Sequence, residues 1–426
     1  MYKKTILKNN LTVVSHHMGG AYSVSIGVWL KVGARYETDN IAGISHFLEH
    51  VVFKGSKKYD KDAIKRQIEG SGGMLNGFTS EELTCYLAKV PHKRTYPIFR
   101  ILLDMALNPR LKNEDIQRER TVIIEEIKMY NDLPLHIGQE LLEKTMWPNH
   151  PLGRNIAGTI ETVSSISRGD LSNYQKKYYQ PKNMVVVFAG NVKHKDCLDF
   201  VNKALDSSKV KDQEYSFKRF VPRQNSAQVR SLTKDIEQTR LAIGFPAYDR
   251  TDPKRYSLSL ISIILGGNMS SRLFNEIREK RGLAYEISSQ YKQLSDTGAF
   301  YVHAGLDNEK IDLALQLILK ELSKLKETLV PTSELARATE YSLSHLAMSL
   351  EDTMDHMMFL GLAAATTNKL KEYNQIKKTV LKVKPRDLKE VAREIFNREK
   401  VNISLVGPKK EFDKNKCLGQ INSSLD

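Results

Sequence analysis

The chain has 426 residues, which is long enough for two domains, and 41% of them are hydrophobic. No apolar run approaches the ~20 residues of a membrane-spanning helix, so we expect a soluble protein without a membrane span. The formal net charge is +15, but the basic residues are dispersed and are not interleaved with aromatic residues as in single-strand-binding proteins. We therefore expect no nucleic-acid partner and interpret the charge as a basic surface.

The N-terminus and the cysteines indicate the compartment. Strand-like sequence begins almost at residue 1, with no hydrophobic region of a signal peptide before it. Cys85, Cys197 and Cys417 are isolated, which argues against a disulfide framework and fits a reducing environment. We expect a cytoplasmic protein; the cysteine count does not exclude an organelle import sequence that has already been removed.

The stretch from His46 to His50 reads H-x-x-E-H, the reverse of the commoner H-E-x-x-H signature of zinc peptidases. Each residue of a helix advances by about 100°, so the two histidines lie about 40° apart and can share a metal ion. Imidazole nitrogens suit Zn²⁺, and the carboxylate of Glu49 suits a general base for an attacking water. The alternative is a histidine pair on an ordinary amphipathic helix.

A second helix is predicted over residues 114–130, with an apolar arc and a charged side. Glu119 and Glu126 project into the apolar arc, where a carboxylate is costly unless it meets a partner or a metal ion. Glu125 points to the charged side, so we expect it to be solvated. Helical phase therefore favours Glu126 or Glu119 as a third metal ligand, and a buried basic partner is the alternative.

The two halves of the chain repeat a pattern of strands. Residues 24–29 align with 240–245, and residues 185–189 align with 401–406. The helix of the histidine motif then corresponds to residues 256–265, which contain neither histidine nor glutamate. We predict a metal-bearing domain at 1–210, a polar linker at 211–231, and a related domain without metal ligands at 232–426.

These features resemble the pitrilysin-type zinc peptidases, or inverzincins, which include insulin-degrading enzyme, pitrilysin and the mitochondrial processing peptidase. In that family a ligand glutamate follows the histidine motif by about 76 residues, and in this chain Glu126 lies 76 residues after His50. A second acidic residue of the family lies seven residues before the ligand glutamate, and Glu119 occupies that position here. The resemblance implies that His46, His50 and Glu126 bind one Zn²⁺ per chain. It also implies that Glu49 is the general base and that Glu119 orients a liganding histidine.

The resemblance covers nearly the whole chain and implies an α+β fold. In that fold, two homologous α/β-sandwich domains, each a mostly antiparallel sheet covered by helices, form half of a clamshell. Long members of the family fuse four such domains around a closed chamber. A two-domain chain is therefore expected to form a homodimer, or a heterodimer with a paralogue.

Two further segments resemble substrate-binding motifs of the family. Residues 75–79 are similar to N-A-[YF]-T, with Gly77 replacing the usual alanine, and precede a predicted strand at 83–90 that would bind an extended peptide at its edge. Residues 266–274, followed by residues 277–285, are similar to S-R-L-F…R-E…G-L-[AG]-Y. The resemblance implies that Asn76, Arg278 and Tyr285 contact substrate. The alternatives are a glycine-rich turn, a surface arginine and a core tyrosine.

The resemblance thus implies a zinc metalloendopeptidase that cleaves peptides or unfolded, presequence-like segments. The family also contains non-catalytic members, such as the inactive partner of the processing peptidase and core subunits of a respiratory complex. A scaffold or partner subunit is therefore the alternative function. Those members typically have degraded zinc motifs, whereas every motif position is filled in this chain, which favours the enzyme.

Overall fold

The computed structural model describes residues 2–205, 215–408 and 412–425. Its strands are β1 (Lys3–Ile6), β2 (Thr12–His17), β3 (Ser23–Leu30), β4 (Met74–Thr79), β5 (Thr84–Pro91), β6 (Met184–Gly190), β7 (Gln228–Thr233), β8 (Thr239–Ala247), β9 (Ala284–Gln293), β10 (Gly298–Leu306) and β11 (Asn402–Gly407).

The α-helices are α1 (Ile44–Val52), α2 (Lys61–Ile68), α3 (Thr95–Leu107), α4 (Asn113–Asp132), α5 (Pro134–Met146), α6 (Ile160–Ser165), α7 (Arg168–Tyr178), α8 (His194–Ala204), α9 (Arg255–Gly266), α10 (Ile311–Glu327), α11 (Thr332–Ser349), α12 (Thr353–Thr366), α13 (Tyr373–Val380), α14 (Pro385–Ile395) and α15 (Lys414–Ser424). A short π-helix spans Phe274–Glu279. Among the described helices, none combines the length and the hydropathy that crossing a membrane requires.

The first sheet has six strands in the order β1-β2-β6-β3-β5-β4. Its neighbouring strands are antiparallel except β2 and β6. Helices cover both faces: residues such as Ile26 pack towards α1 and α3, whereas Trp29 and Val187 pack towards α12. Burial on both faces explains why β3 and β6 are apolar almost without interruption.

The second sheet has five strands in the order β7-β11-β8-β10-β9, antiparallel except for β11 and β7. Helices α9, α10 and α14 cover one face, and α5 covers the other. The predicted repeat is present, because β3 pairs with β6 as β8 pairs with β11. The predicted fold class, α+β with two mostly antiparallel sheets covered by helices, is confirmed.

The compact units of the protein are discontinuous in sequence. The first unit comprises Met1–Lys128, Arg154–Lys218 and Leu346–Glu372, and the second comprises Met129–Gly153, Arg219–His345 and Tyr373–Asp426. These units differ from the continuous ranges 1–210 and 232–426, because α12 packs on the first sheet and α5 packs on the second. Residues 206–214, where the first range ends and the expected linker begins, lie outside the described residues, and β7 begins inside that linker.

Helix α12 approaches the first sheet closely because glycines face Trp29. A Cβ atom on Gly361 would lie 2.1 Å from the indole, and one on Gly27 would lie 2.5 Å from its Nε1. Asp352 caps the helix by accepting hydrogen bonds from two first-turn amides. Its carboxylate also accepts a 2.5 Å hydrogen bond from Lys89 on β5. The helix is therefore an integral layer of the first unit.

Candidate metal centre

Helix α1 presents one side to the core and the other to the site. Ile44, Phe47, Leu48 and Val51 are almost fully buried. At about 100° per residue, His46, Glu49 and His50 lie on the opposite side of the helix from these apolar positions. Packing of the apolar side therefore determines where the motif points.

A buried carboxylate fixes the start of α1. The N–H groups of Gly43 and Ser45 donate to the two carboxylate oxygens of Glu37, at 2.7 and 2.8 Å. Gly43 has φ of 94°, in the left-handed region that glycine tolerates. Burial raises the pKa of Glu37 to about 7, although the hydrogen bonds from Ser45 and Gly43 oppose the increase. Sequence reasoning missed Glu37, whose role depends on a tertiary turn.

Three candidate ligands converge between α1 and α4. Oε2 of Glu126 lies 3.7 Å from Nε2 of His46 and 3.4 Å from Nε2 of His50. All three ligand atoms lie within 4.8 Å of one another, and no other such cluster occurs among the described residues. Ligands of a tetrahedral zinc ion, at about 2.0–2.1 Å from the metal, are about 3.4 Å apart. The donor set and its spacing thus fit a zinc ion with an open position for water.

Glu119 orients one of the histidines. The Nδ1–H group of His50 donates to Oε2 of Glu119 at 3.3 Å, which leaves Nε2 directed at Glu126. Lys54 donates to the other oxygen of Glu119 at 2.6 Å. Burial alone would raise the pKa of Glu119, but the hydrogen bonds from His50 and Lys54 lower it. A carboxylate that holds a histidine in this way stabilises a metal site. The involvement of Lys54 was not expected from the sequence.

Glu49 lies beside the cluster without belonging to it. The hydroxyl of Thr79 on β4 donates to Oε2 of Glu49 at 2.8 Å. Burial raises the pKa of Glu49, against the hydrogen bond from Thr79. A carboxylate with a raised pKa and one fixed oxygen is suited to accept a proton near neutral pH. Thr79 is the last residue of the motif at residues 75–79. Membership of that motif was the only feature of the sequence that pointed to Thr79.

The expected substrate edge at residues 83–90 is wrong. Strand β5 pairs with β3 on one side and with β4 on the other, so it has no free edge. The free edge belongs to β4, which pairs only with β5 among the described strands. Residues 75–79, for which a glycine-rich turn was the alternative interpretation, lie within this edge strand, Met74–Thr79. Pairing order depends on contacts distant in sequence, which the local pattern does not contain.

Gly77 and Asn76 face opposite sides of β4. A Cβ atom on Gly77 would lie 3.1 Å from Oε1 of Glu49, so this residue faces Glu49. Strand alternation places Asn76 on the other face, where it is exposed and its Oδ1 accepts a hydrogen bond from the Gly77 amide at 2.8 Å. The structure therefore does not bring the side chain of Asn76 to Glu49.

Arg278 and Tyr285 lie together in the second unit. The guanidinium carbon of Arg278 is 4.7 Å from the ring centroid of Phe274 and 5.6 Å from that of Tyr285. Tyr285, at the start of β9, is 72% exposed, which excludes the alternative of a core tyrosine. Stacking between two rings restrains the guanidinium while its N–H groups can still bind a ligand.

Zinc binding should depend on pH through His50. Burial alone would lower the pKa of His50, but its hydrogen bonds to Glu119 and Glu126 raise that pKa to about 9. Below this pH the imidazole is protonated, and the proton must leave before the nitrogen binds a metal ion. We expect the apparent zinc affinity to increase by up to about tenfold per pH unit and to level off near pH 9. Competition with a chromophoric chelator from pH 7 to 10 measures the apparent zinc affinity at each pH.

The Glu119→Gln variant is the control for this pH dependence. Loss of the carboxylate removes an interaction that raises the pKa of His50, so the affinity should level off at lower pH than in the wild type. An affinity that is independent of pH across this range would contradict the expectation.

Two family models match the chain in succession. Residues 12–160, which contain the whole histidine and glutamate cluster, match the model described as Insulinase (Peptidase family M16). Residues 165–341 match the model described as Peptidase M16 inactive domain. The division agrees with a pair of related halves of which only the first carries the candidate metal ligands.

Relatives match over almost the full length of both chains. An uncharacterized zinc protease of Streptomyces coelicolor is 32% identical over 96% of this chain and 90% of its own. The uncharacterized zinc protease YmxG of Bacillus subtilis is 33% identical over 96% of this chain and 98% of its own. A crystal structure described as a protease from Helicobacter pylori has a TM-score of 0.90 at 25% identity, covering 96% of this chain and 99% of that one. Because the similarity extends through both halves, the chain belongs to peptidase family M16.

Proposed function

We propose that the protein is a zinc metalloendopeptidase. The observation that carries the proposal is the convergence of His46, His50 and Glu126, with Glu49 as a fourth residue whose non-liganding carboxylate lies within their electrostatic reach. Two imidazoles and one carboxylate are a donor set of catalytic zinc sites in peptidases. The names of the relatives as zinc proteases support the same ion.

The chemistry divides between the ion and the side chains. A zinc ion held by these ligands would supply Lewis acidity, which polarises a peptide carbonyl and lowers the pKa of water. Glu49 accepts the proton of the attacking water and returns it to the leaving amine. Thr79 holds one oxygen of Glu49 at 2.8 Å, so the other oxygen is available for this transfer. Glu119 keeps His50 in the tautomer that presents Nε2 to the site.

The free edge of β4 supports a proposal for the substrate class. An extended peptide can add to an exposed strand through main-chain hydrogen bonds. Gly77 and Thr79 of β4 face Glu49, so a peptide paired with this strand would pass beside the base. This mode of binding recognises the backbone more than the side chains. We therefore propose peptides and unfolded or presequence-like segments as substrates, with modest sequence specificity.

Metal removal tests the proposed activity. A mixed peptide library is incubated with the protein, with and without a chelator, and cleavage is measured by mass spectrometry. We expect cleavage to be lost with the chelator and restored by one equivalent of Zn²⁺, because the ion supplies the Lewis acid. Cleavage that is insensitive to the chelator would contradict the mechanism. A protein that binds zinc but cleaves nothing would instead support the scaffold function.

A two-chain assembly is proposed for the complete enzyme. Arg278 and Tyr285 would bind substrate held at the zinc of a second copy of this chain. Mixing Glu49→Gln chains with Arg278→Ala chains should then restore part of the activity, because one hybrid site has both an intact base and an intact arginine. Peptide cleavage after subunit exchange measures the recovery.

The matched control mixes Glu49→Gln chains with Glu126→Gln chains. Both defects lie in the metal-bearing unit, so neither hybrid site is intact and no recovery is expected. Absence of recovery in the first mixture, despite demonstrated exchange, would show that Arg278 acts within its own chain or not on substrate. A fully active monomer in sedimentation would contradict the assembly itself.

A further inference from the structure

The metal cluster depends on the spacing of two helices. His46 and His50 are on α1 and Glu126 is on α4, more than 70 residues further along the chain. Metal affinity requires the three donors to stay within a few tenths of an ångström of their places. Contacts that hold α4 against α1 therefore contribute to metal binding, even where they involve none of the ligand residues.

Arg120 makes such a contact, although helical phase places it among charged positions of α4. One terminal nitrogen of its guanidinium donates to the carbonyl of Val163, and the other donates to the carbonyl of Ile166 at 2.8 Å. Val163 lies in the last turn of α6 and Ile166 directly follows it. Carbonyl groups at a helix C-terminus have no partner within the helix and carry negative partial charge. The planar arginine fork satisfies two of them at once.

The same guanidinium reaches α1. Its central carbon lies 5.2 Å from the ring centroid of Phe47, within cation–π distance. Phe47 is fully buried and is the neighbour of His46 in sequence. Arg120 itself directly follows Glu119. This side chain of α4 thus contacts α1, the other helix that carries candidate ligands.

Helix α6 is in turn attached to the start of α1. The hydroxyl of Thr162 donates to the carbonyl of Ala42 at 2.7 Å. The backbones also approach closely, because a Cβ atom on Gly43 would lie 2.4 Å from the carbonyl oxygen of Ala157. A Cβ atom on Gly158 would lie 2.3 Å from that of Ala42. Residues 157–166 therefore form a fixed platform to which α1 is joined directly and α4 is joined by Arg120.

We propose that Arg120 is a positioning residue of the metal centre. It holds α4 on the platform of residues 157–166 and against Phe47, and so sets the distance of Glu126 from His46 and His50. This role rests on the proposed zinc site. A lysine at position 120 keeps the charge but can serve only one carbonyl well, so it should preserve the function only in part.

Zinc affinity tests this role independently of activity. The full-length variants Arg120→Met and Arg120→Lys are titrated with Zn²⁺ against a chromophoric chelator, and the visible spectrum of the Co²⁺-loaded protein reports ligand geometry. We expect the dissociation constant for Zn²⁺ to increase by roughly 10-fold or more in Arg120→Met, in the range found for contacts that orient ligands. Arg120→Lys should lie between this value and the wild type, and both variants should alter the Co²⁺ spectrum.

Arg118→Met is the matched control. Arg118 is on the same helix, its side chain is 67% exposed, and its ion pair with Asp115 is 4.0 Å long. Its removal should leave both zinc affinity and the Co²⁺ spectrum unchanged. Thermal unfolding of each metal-free variant shows how much of any change is general destabilisation.

The possible outcomes are distinct. If Arg120→Met has a lower unfolding temperature but the zinc affinity and Co²⁺ spectrum of the wild type, Arg120 is only structural and the proposal is overturned. If Arg120→Met does not fold, Arg120→Lys decides in the same way, with wild-type affinity and spectrum overturning the role. A wild-type protein without zinc affinity would overturn the proposed function itself, and the role of Arg120 with it.

Discussion

Replacement of Glu49 by glutamine is expected to lower peptide cleavage by about 10²–10⁴-fold while zinc content stays at the wild-type level. The amide is nearly isosteric and can still accept the hydrogen bond from Thr79, but it cannot take a proton from water. Glu49 is not among the three clustered ligand atoms, so metal binding should persist. The measurements are kcat/KM on a library-derived peptide and metal content by plasma emission spectrometry.

The Glu125→Gln variant is the control for this prediction. Glu125 is 64% exposed and pairs with Lys128 at 2.8 Å, so Glu125→Gln should leave the rate unchanged. A Glu49→Gln enzyme that cleaves at the wild-type rate would reject general-base action by this residue. Loss of both zinc and activity in Glu49→Gln would reject the separation of base from ligands.

Glu126→Gln should weaken zinc binding far more than Glu125→Gln, although the two residues are adjacent. Oε2 of Glu126 lies 3.4 Å from Nε2 of His50, whereas the carboxylate of Glu125 is on the solvent side of α4. An amide is a much poorer ligand for Zn²⁺ than a carboxylate. We expect the loss of affinity to exceed the roughly 10–100-fold effect of removing an orienting contact.

Metal content after dialysis against a weak chelator measures this difference. Glu119→Gln provides an intermediate standard, since Glu119 contacts His50 but is not one of the three clustered candidate ligands. The expected order of zinc retention is Glu125→Gln, then Glu119→Gln, then Glu126→Gln. Equal zinc content in the Glu125 and Glu126 variants would contradict the assignment of the third ligand.

Local patterns were sufficient to predict much of this molecule. The helix over residues 114–130 is α4, because apolar periodicity at 3.6 residues is a local property. The phase of that helix also separates Glu126 from the exposed Glu125. The repeat of β3 and β6 in β8 and β11 was visible because strands buried on both faces have similar composition.

The errors concern contacts between segments distant in sequence. Strand order is one case. The free edge belongs to β4 and not to β5, because β5 also pairs with β3, a strand distant in sequence. The partners of the site are another, since Thr79 reaches Glu49 and Lys54 reaches Glu119 only in the folded chain. The discontinuous units have the same origin, because nothing within α5 or α12 specifies the sheet that each covers.

Helix α5 belongs to the second unit and α12 to the first, although each lies in the other half of the sequence. This arrangement has a consequence for the chain while it is being synthesised. Synthesis of residue 126 completes the set of candidate metal ligands, and synthesis of residue 190 completes the last strand of the first sheet. The face that bears Trp29 and Val187 is nonetheless covered only when α12 emerges. At roughly 5–20 residues per second, the nascent chain therefore carries an open apolar sheet face for on the order of ten seconds. A premature stop before residue 353 would leave a chain that contains every candidate ligand of the metal centre but lacks one layer of the unit that holds them.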